Sequence, residues 1–218
     1  MDNLFRWRTV FVLPLIIVMS GLLFIAKDIL ISDLHLIVAD RDINSWQNKG
    51  GVKFSKQQWE SVEINLQNAL SLDPNNPKIL LKLSAHHDRL AQSMRKSGWR
   101  KRRSLRKAVD YLRMAIINRP VSPMGWGGLV LAKHQLKAVD QEFWNAVNQA
   151  VYLGPWEQRY SVAISKIAIK LCNSMPRSIH GNVEQYIKNG VMENSDELVG
   201  FLNNHNQKCQ FDIPIEKG

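Results

Sequence analysis

The sequence predicts an all-α protein: an N-terminal membrane-spanning helix followed by a solenoid of helical hairpins. Three observations predict it. Residues 9–26 form an apolar run without a charge. Past residue 27, apolar residues recur at helical spacing and no stretch sustains the period-two alternation of a strand. Three segments also end alike, with Ala five residues before Pro: Ala69 to Pro74, Ala115 to Pro120 and Ala150 to Pro155. Proline stops a helix because it has no N–H to continue the ladder.

The anchor comes first. The run TVFVLPLIIVMSGLLFIA lies between Arg8 and Lys27. At 1.5 Å per residue it reaches about 27 Å, just enough for the hydrocarbon core of a bilayer. It is longer than a cleavable signal's apolar region and lacks a good small-x-small cleavage site, so it reads as an uncleaved signal-anchor. Pro14 is tolerable in such a helix. Arg6 and Arg8 precede the run, while Lys27 and Arg41 follow it among four aspartates. This slight bias puts the N-terminus in the cytoplasm and the remainder outside. The expected division is therefore 1–27 as cytoplasmic tip and anchor, and 28–218 as one helical domain.

That domain lays out as helix pairs. Helix 28–47 pairs with 56–72, 78–96 with 101–118, 123–138 with 140–153, and 156–174 with 177–192. A short helix at 195–204 closes the stack, with Ser195 as its N-cap and Asp196 and Glu197 suiting the helix dipole. The polar stretch 203–208 would supply the end cap a solenoid needs. Ser122 and Pro123 read as N-cap and first position of the helix they open. Gly125, Gly127 and Gly128 flank Trp126 in a helical context with no Lys-Ser/Thr after them. They point to close helix approach, not to a phosphate loop.

The alanine-to-alanine spacings are 46 and 35 residues. The second is near the roughly 34-residue period of tetratricopeptide repeats. Ala108, Leu112, Ala115 and Pro120 match that family's second-helix spacing, and Trp126 and Leu129 match its first-helix positions. The chain thus resembles a degenerate tetratricopeptide array. Val147 and Phe143 depart from the pattern, and the 46-residue unit is overlong.

The excess length coincides with the charge. The formal net charge is +10. Eight bases fall between residues 95 and 107 with no acid among them: Arg95, Lys96, Arg100, Lys101, Arg102, Arg103, Arg106 and Lys107. Removing them leaves the rest nearly neutral, so the molecule is not a uniformly basic nucleic-acid binder. Both helices of this hairpin should extend a turn or two past the stack, with Gly98 at the tip and Trp99 beside the arginines. The patch is open to four readings: a solvated loop, anionic lipid, an acidic polysaccharide or acidic protein patch, and nucleic acid. The last requires a cytoplasmic domain and is not expected.

Signals for chemistry are sparse. The six histidines make no H-x-x-x-H or HExxH pattern, there is no Cys-x-x-Cys, and no nucleophile elbow appears. No catalytic residue, metal ligand or cofactor site is assigned. Gly154, Pro155 and Trp156 read as a helix stop and restart. Cys172 and Cys209 are 37 residues apart. They form a structural bridge if their Cα atoms lie within about 7 Å, and otherwise remain two thiols.

Taken together, the anchor, L-D-P-N-N-P77, R-P-V-S-P123 with Trp126, and L-G-P-W-E157 resemble the VpsP-type exopolysaccharide biosynthesis proteins over residues 1 to about 175. The resemblance implies a non-catalytic scaffold in the bacterial inner membrane, with its domain in the periplasm. Its partners would be protein components of a polysaccharide synthesis or export complex. Two other classes stay open: an anchored chaperone-like assembly factor for cell-envelope or cytochrome complexes, and a divergent enzyme acting on the polysaccharide.

Overall fold

Proline and the pre-proline residue set the helix ends in this chain. A computed structural model describes residues 2–47, 55–94, 98–154, 158–193, 195–205 and 211. The described helices are α1 (Asp2–Gln47), α2 (Lys56–Leu72), α3 (Pro77–Ser93), α4 (Trp99–Asn118), α5 (Pro123–Leu136), α6 (Gln141–Leu153), α7 (Gln158–Lys170), α8 (Arg177–Glu193) and α9 (Ser195–His205). A short 3-10 turn, Cys172–Ser174, follows α7. No strand occurs among the described residues.

The three alanine-to-proline endings share one geometry. The cap residues Asp73, Arg119 and Gly154 have φ/ψ of −137°/77°, −146°/78° and −133°/53°. Each donates its N–H to the carbonyl of the alanine four residues earlier, at 3.0, 2.9 and 3.1 Å. A following proline disfavours the α region, so the helix opens at the same place each time. The three alanines are buried, so the motif both stops the helix and admits a close neighbour.

The anchor and the helix expected at 28–47 are one continuous helix, α1, 46 residues long with Pro14 inside it. Nothing between Ala26 and Asp28 breaks the ladder, since neither Gly nor Pro stands there. The expected division at residue 27 therefore falls within a helix. The chain forms two compact units, Met1–Ile79 and Leu80–Gly218.

In the first unit α1 packs on α2. Leu36 and Ala39 are buried, as are Val62, Leu66 and Ala69 of α2. The Ser32 hydroxyl donates to the Ala69 carbonyl at 3.0 Å. A capping box at Ser55 and Gln58 starts α2. The apolar run of α1 has no such cover: Leu15, Ile17, Leu22, Leu23 and Phe24 are all exposed.

In the second unit α4, α5 and α6 pack in sequence, α5 lies against α7, and α6 against α8. This is the alternating two-layer order of stacked helical hairpins. The glycines of α5 make the packing possible. A Cβ on Gly127 would come within 2.9 Å of the Tyr160 ring of α7, and one on Gly128 within 2.8 Å of Leu112 of α4. The core runs from Val109 through Leu129, Phe143, Ile164 and Ile187 to Leu202 and Phe211. Phe211 returns onto α8, its ring 4.8 Å from that of His180.

Two smaller differences follow from local chemistry. The helix expected over 156–174 ends at Lys170 and tightens into the 3-10 turn ahead of Pro176. Helix α9 already includes Ser195, which was expected as its cap. Residues 206–208 of the expected polar cap lie outside the described residues.

Candidate interaction surface

The bases from Arg100 to Lys107 lie on α4. The helix buries Ser104, Leu105, Ala108, Val109, Leu112, Ala115 and Ile116 on one side. The complementary positions Trp99, Arg102, Arg103 and Arg106 are spaced at three and four residues and are all exposed. Trp99 is 67% exposed. The Arg100 guanidinium lies 5.5 Å from its ring centroid, within cation–π range. Arg95 and Lys96 lie outside the described residues. Helices α3 and α4 are 17 and 20 residues long, against 14 and 13 for α5 and α6. The basic segment thus prolongs one hairpin, as expected, although α3 stops at Ser93.

These charges oppose the backbone. The first turn of α4 has no acid, and its N-cap Gly98 makes no side-chain cap bond. Cations at a helix N-terminus add to the positive end of the dipole instead of cancelling it. The buried face offsets this cost, and the outcome is a concentrated positive pole. Lys101 and Lys107 are half-buried. Lys101 acts electrostatically on Asp88 of α3, whose carboxyl burial pushes up in pKa. Bonds of 2.7 Å from Gln135 and from Gln92 counter that rise.

A second cluster joins α4, α5 and α6. Arg113 grips Glu142 through two bonds of 2.7 Å and also reaches Asp110 at 3.1 Å. Lys133, only 3% exposed, bonds Glu142 and lies 2.7 Å from Asp140. Asp140 caps α6 by accepting from the Phe143 N–H at 2.9 Å. The Arg113 hydrogen bonds, aided by Lys133, hold the Glu142 carboxyl at about 2, well below its usual 4.5. Burial raises Asp140, but its bonds to Lys133 and the Phe143 N–H outweigh that and lower it. Glu142 is the centre of this network. Lys133 was not anticipated at all. Its signal was its place in the buried stripe Leu129, Val130, Ala132, Lys133, with acids seven and nine residues on.

The remaining motif residues are structural in position. The Trp126 indole N–H donates to the Pro120 carbonyl at 2.7 Å, which closes the Pro120–Pro123 turn onto α5. Ser122 occupies the N-cap, but its hydroxyl makes no cap bond, contrary to expectation. The carbonyl of Ser122 receives the Gly125 N–H instead. Gly154 caps α6, while Pro155 and Trp156 lie outside the described residues. Cys172 is disulfide-bonded. The chain's other cysteine, Cys209, lies outside the described residues. His86 and His87 are buried. Their rings meet edge to face at 5.3 Å, and His87 stacks on Tyr111 at 5.6 Å.

No protein-family model matches the chain, and no curated protein matches it. Among solved structures, the crystal structure of the MamA protein matches with a TM-score of 0.53. The match covers 86% of this chain and 98% of that one at 12% sequence identity. A likeness at that identity is one of fold. The chain is an all-α, tetratricopeptide-like stack of helical hairpins behind a long apolar helix. That helix is long and apolar enough, over Pro14–Arg41, to cross a membrane.

Proposed function

We propose that the protein is a membrane-anchored, non-catalytic scaffold in bacterial exopolysaccharide biosynthesis or export. In this reading α1 sits in the inner membrane with its N-terminus cytoplasmic and the hairpins in the periplasm. One observation carries it: the exposed face of Trp99, Arg102, Arg103 and Arg106, a positive pole on a hairpin stack whose fold class builds interaction surfaces. The partner is an acidic patch on a protein component of the complex, drawn in by electrostatic steering. The motif resemblance described above supplies the polysaccharide context.

Deletion of the gene tests the reading; reduced secreted polysaccharide is expected, and unchanged yield overturns it. Replacing Arg100, Lys101, Arg102 and Arg103 by Ser should weaken partner capture without unfolding the domain. Full retention of capture would reduce the patch to a solvated face. A pull-down yielding cytochrome or envelope assembly factors in place of polysaccharide enzymes would favour the chaperone-like alternative. A reporter fused after Gly218 should be active only outside the cytoplasm.

A further inference from the structure

Helices α6 and α8 together carry a face unlike the rest of this charged protein. On α6, Gln141, Asn145, Asn148 and Tyr152 follow one another at helical spacing along the solvent side. On α8, Asn182, Gln185 and Asn189 do the same. None of these positions is charged, although 22% of the chain is. The α8 row and Tyr152 line a groove of about 180 Å³ floored by Val151 and Tyr186. Tyr152 stands at its edge, 74% exposed.

The amides are held in order. Asn182 donates to Asn148 at 3.1 Å across the helix pair, and Gln185 donates to Asn189 at 3.0 Å along α8. Each primary amide has two N–H donors and a carbonyl with two lone pairs. One shared bond per pair uses only part of that capacity. What remains is a fixed, uncharged array of donors and acceptors side by side.

We infer that the α6–α8 groove binds a neutral oligosaccharide, with Tyr152 stacking on a sugar ring and Asn182, Gln185 and Asn189 bonding its hydroxyls. Adjacent hydroxyls are both donors and acceptors, as the paired amides are. The apolar C–H face of a pyranose matches an exposed aromatic ring. An anionic chain gains nothing from a groove without a cation, and the basic face belongs to α4. A protein partner of ordinary affinity would call for a cluster of aromatic, aliphatic or arginine anchors, of which this face has one. The inference rests on the polysaccharide reading and deepens it by giving the scaffold direct contact with the polymer that its complex makes.

The test uses the full chain in detergent micelles and saturation-transfer NMR. The probes are malto-, cello- and mannohexaose, with a polygalacturonate hexamer as the charged comparison. Saturation transfer to at least one neutral hexaose is expected. Tyr152→Ala should weaken that binding about fivefold or more, while Tyr152→Phe, which keeps the ring, should stay within about twofold. Both variants should melt with the wild type, because the side chain is exposed. Transfer to no neutral hexaose overturns the inference, as does transfer to the polygalacturonate alone or unchanged binding by Tyr152→Ala. Loss of protein capture by Tyr152→Ala without sugar binding would assign the face to a peptide and also overturn it. Binding in vitro and secreted polysaccharide in cells are separate readouts, so either proposal can fail alone.

Discussion

The apolar run of α1 and helix α5 are both poor in charge, yet they meet opposite surroundings. Helix α5 is covered by α4, α6 and α7, and its glycines let those neighbours close in. The described residues of the apolar half of α1 lie open, and Leu23 is 68% exposed. A helix apolar on all sides is stable only inside a protein core or a bilayer. The contrast teaches that composition does not distinguish a buried helix from a spanning one. The packing devices do: α5 has close-approach glycines and a paired lysine, whereas α1 has large side chains facing outward.

The largest effect should come from attacking the uncovered helix. Replacing Ile17 and Leu22 together by Arg should cost about 6 kcal/mol of membrane insertion, at about 3 kcal/mol per arginine near the bilayer centre. The double variant should leave the membrane fraction on sedimentation. If it stayed there, α1 would not be the anchor. On the covered helix, Gly127→Ala should destabilise by about 1–3 kcal/mol in urea unfolding, because the added Cβ meets the Tyr160 ring. Gly181→Ala on α8, where a Cβ has nothing within 4 Å, should instead stabilise by about 0.5–1 kcal/mol. Equal signs at the two glycines would remove the packing argument.

The paired lysine of α5 gives the next effect. Glu142→Ala leaves Lys133 buried with Asp140 alone and should cost about 1–3 kcal/mol. Lys133→Met removes the buried charge together with its desolvation penalty and should cost less. The Glu142 carboxylate is about a third exposed, so solvent screening moderates both. Glu142 has a lower pKa folded than unfolded. Its contribution is therefore present above about pH 4.5 and is lost as pH falls toward about 2. Thermal melts from about pH 6 down to about pH 2.5 should show a steeper loss for the wild type than for Glu142→Gln. Trp126→Phe, which removes one bond to Pro120, should cost the least, about 0.5–1.5 kcal/mol.

What the sequence disclosed was punctuation. Pro74, Pro120 and Pro123 fixed helix ends that the structure reproduces, since local backbone sterics decide them without help from distant residues. The outer face of α4 was legible because its bases alternate with an apolar stripe. The Arg113–Glu142–Lys133 network was not, because its partners lie 29 residues apart and a lysine in an apolar stripe passes for a solvent position. The amide rows of α6 and α8 were hidden for the same reason. Asn and Gln carry no periodic signal until two helices are laid side by side. The continuity of α1 also escaped, because the charge that ends the apolar run at Lys27 marks a change of composition and not of backbone.

That continuity has a geometric consequence. An unbroken α-helix turns 100° per residue, so the apolar span and the surface that grips α2 are locked in rotational phase. One residue inserted near Asp28 would swing α2 about 100° around the helix axis, and four would bring it within about 40° of its starting azimuth. In the membrane-anchored reading proposed above, α1 is thus a keyed shaft as well as a tether: it sets which way α2 points as the chain leaves the membrane.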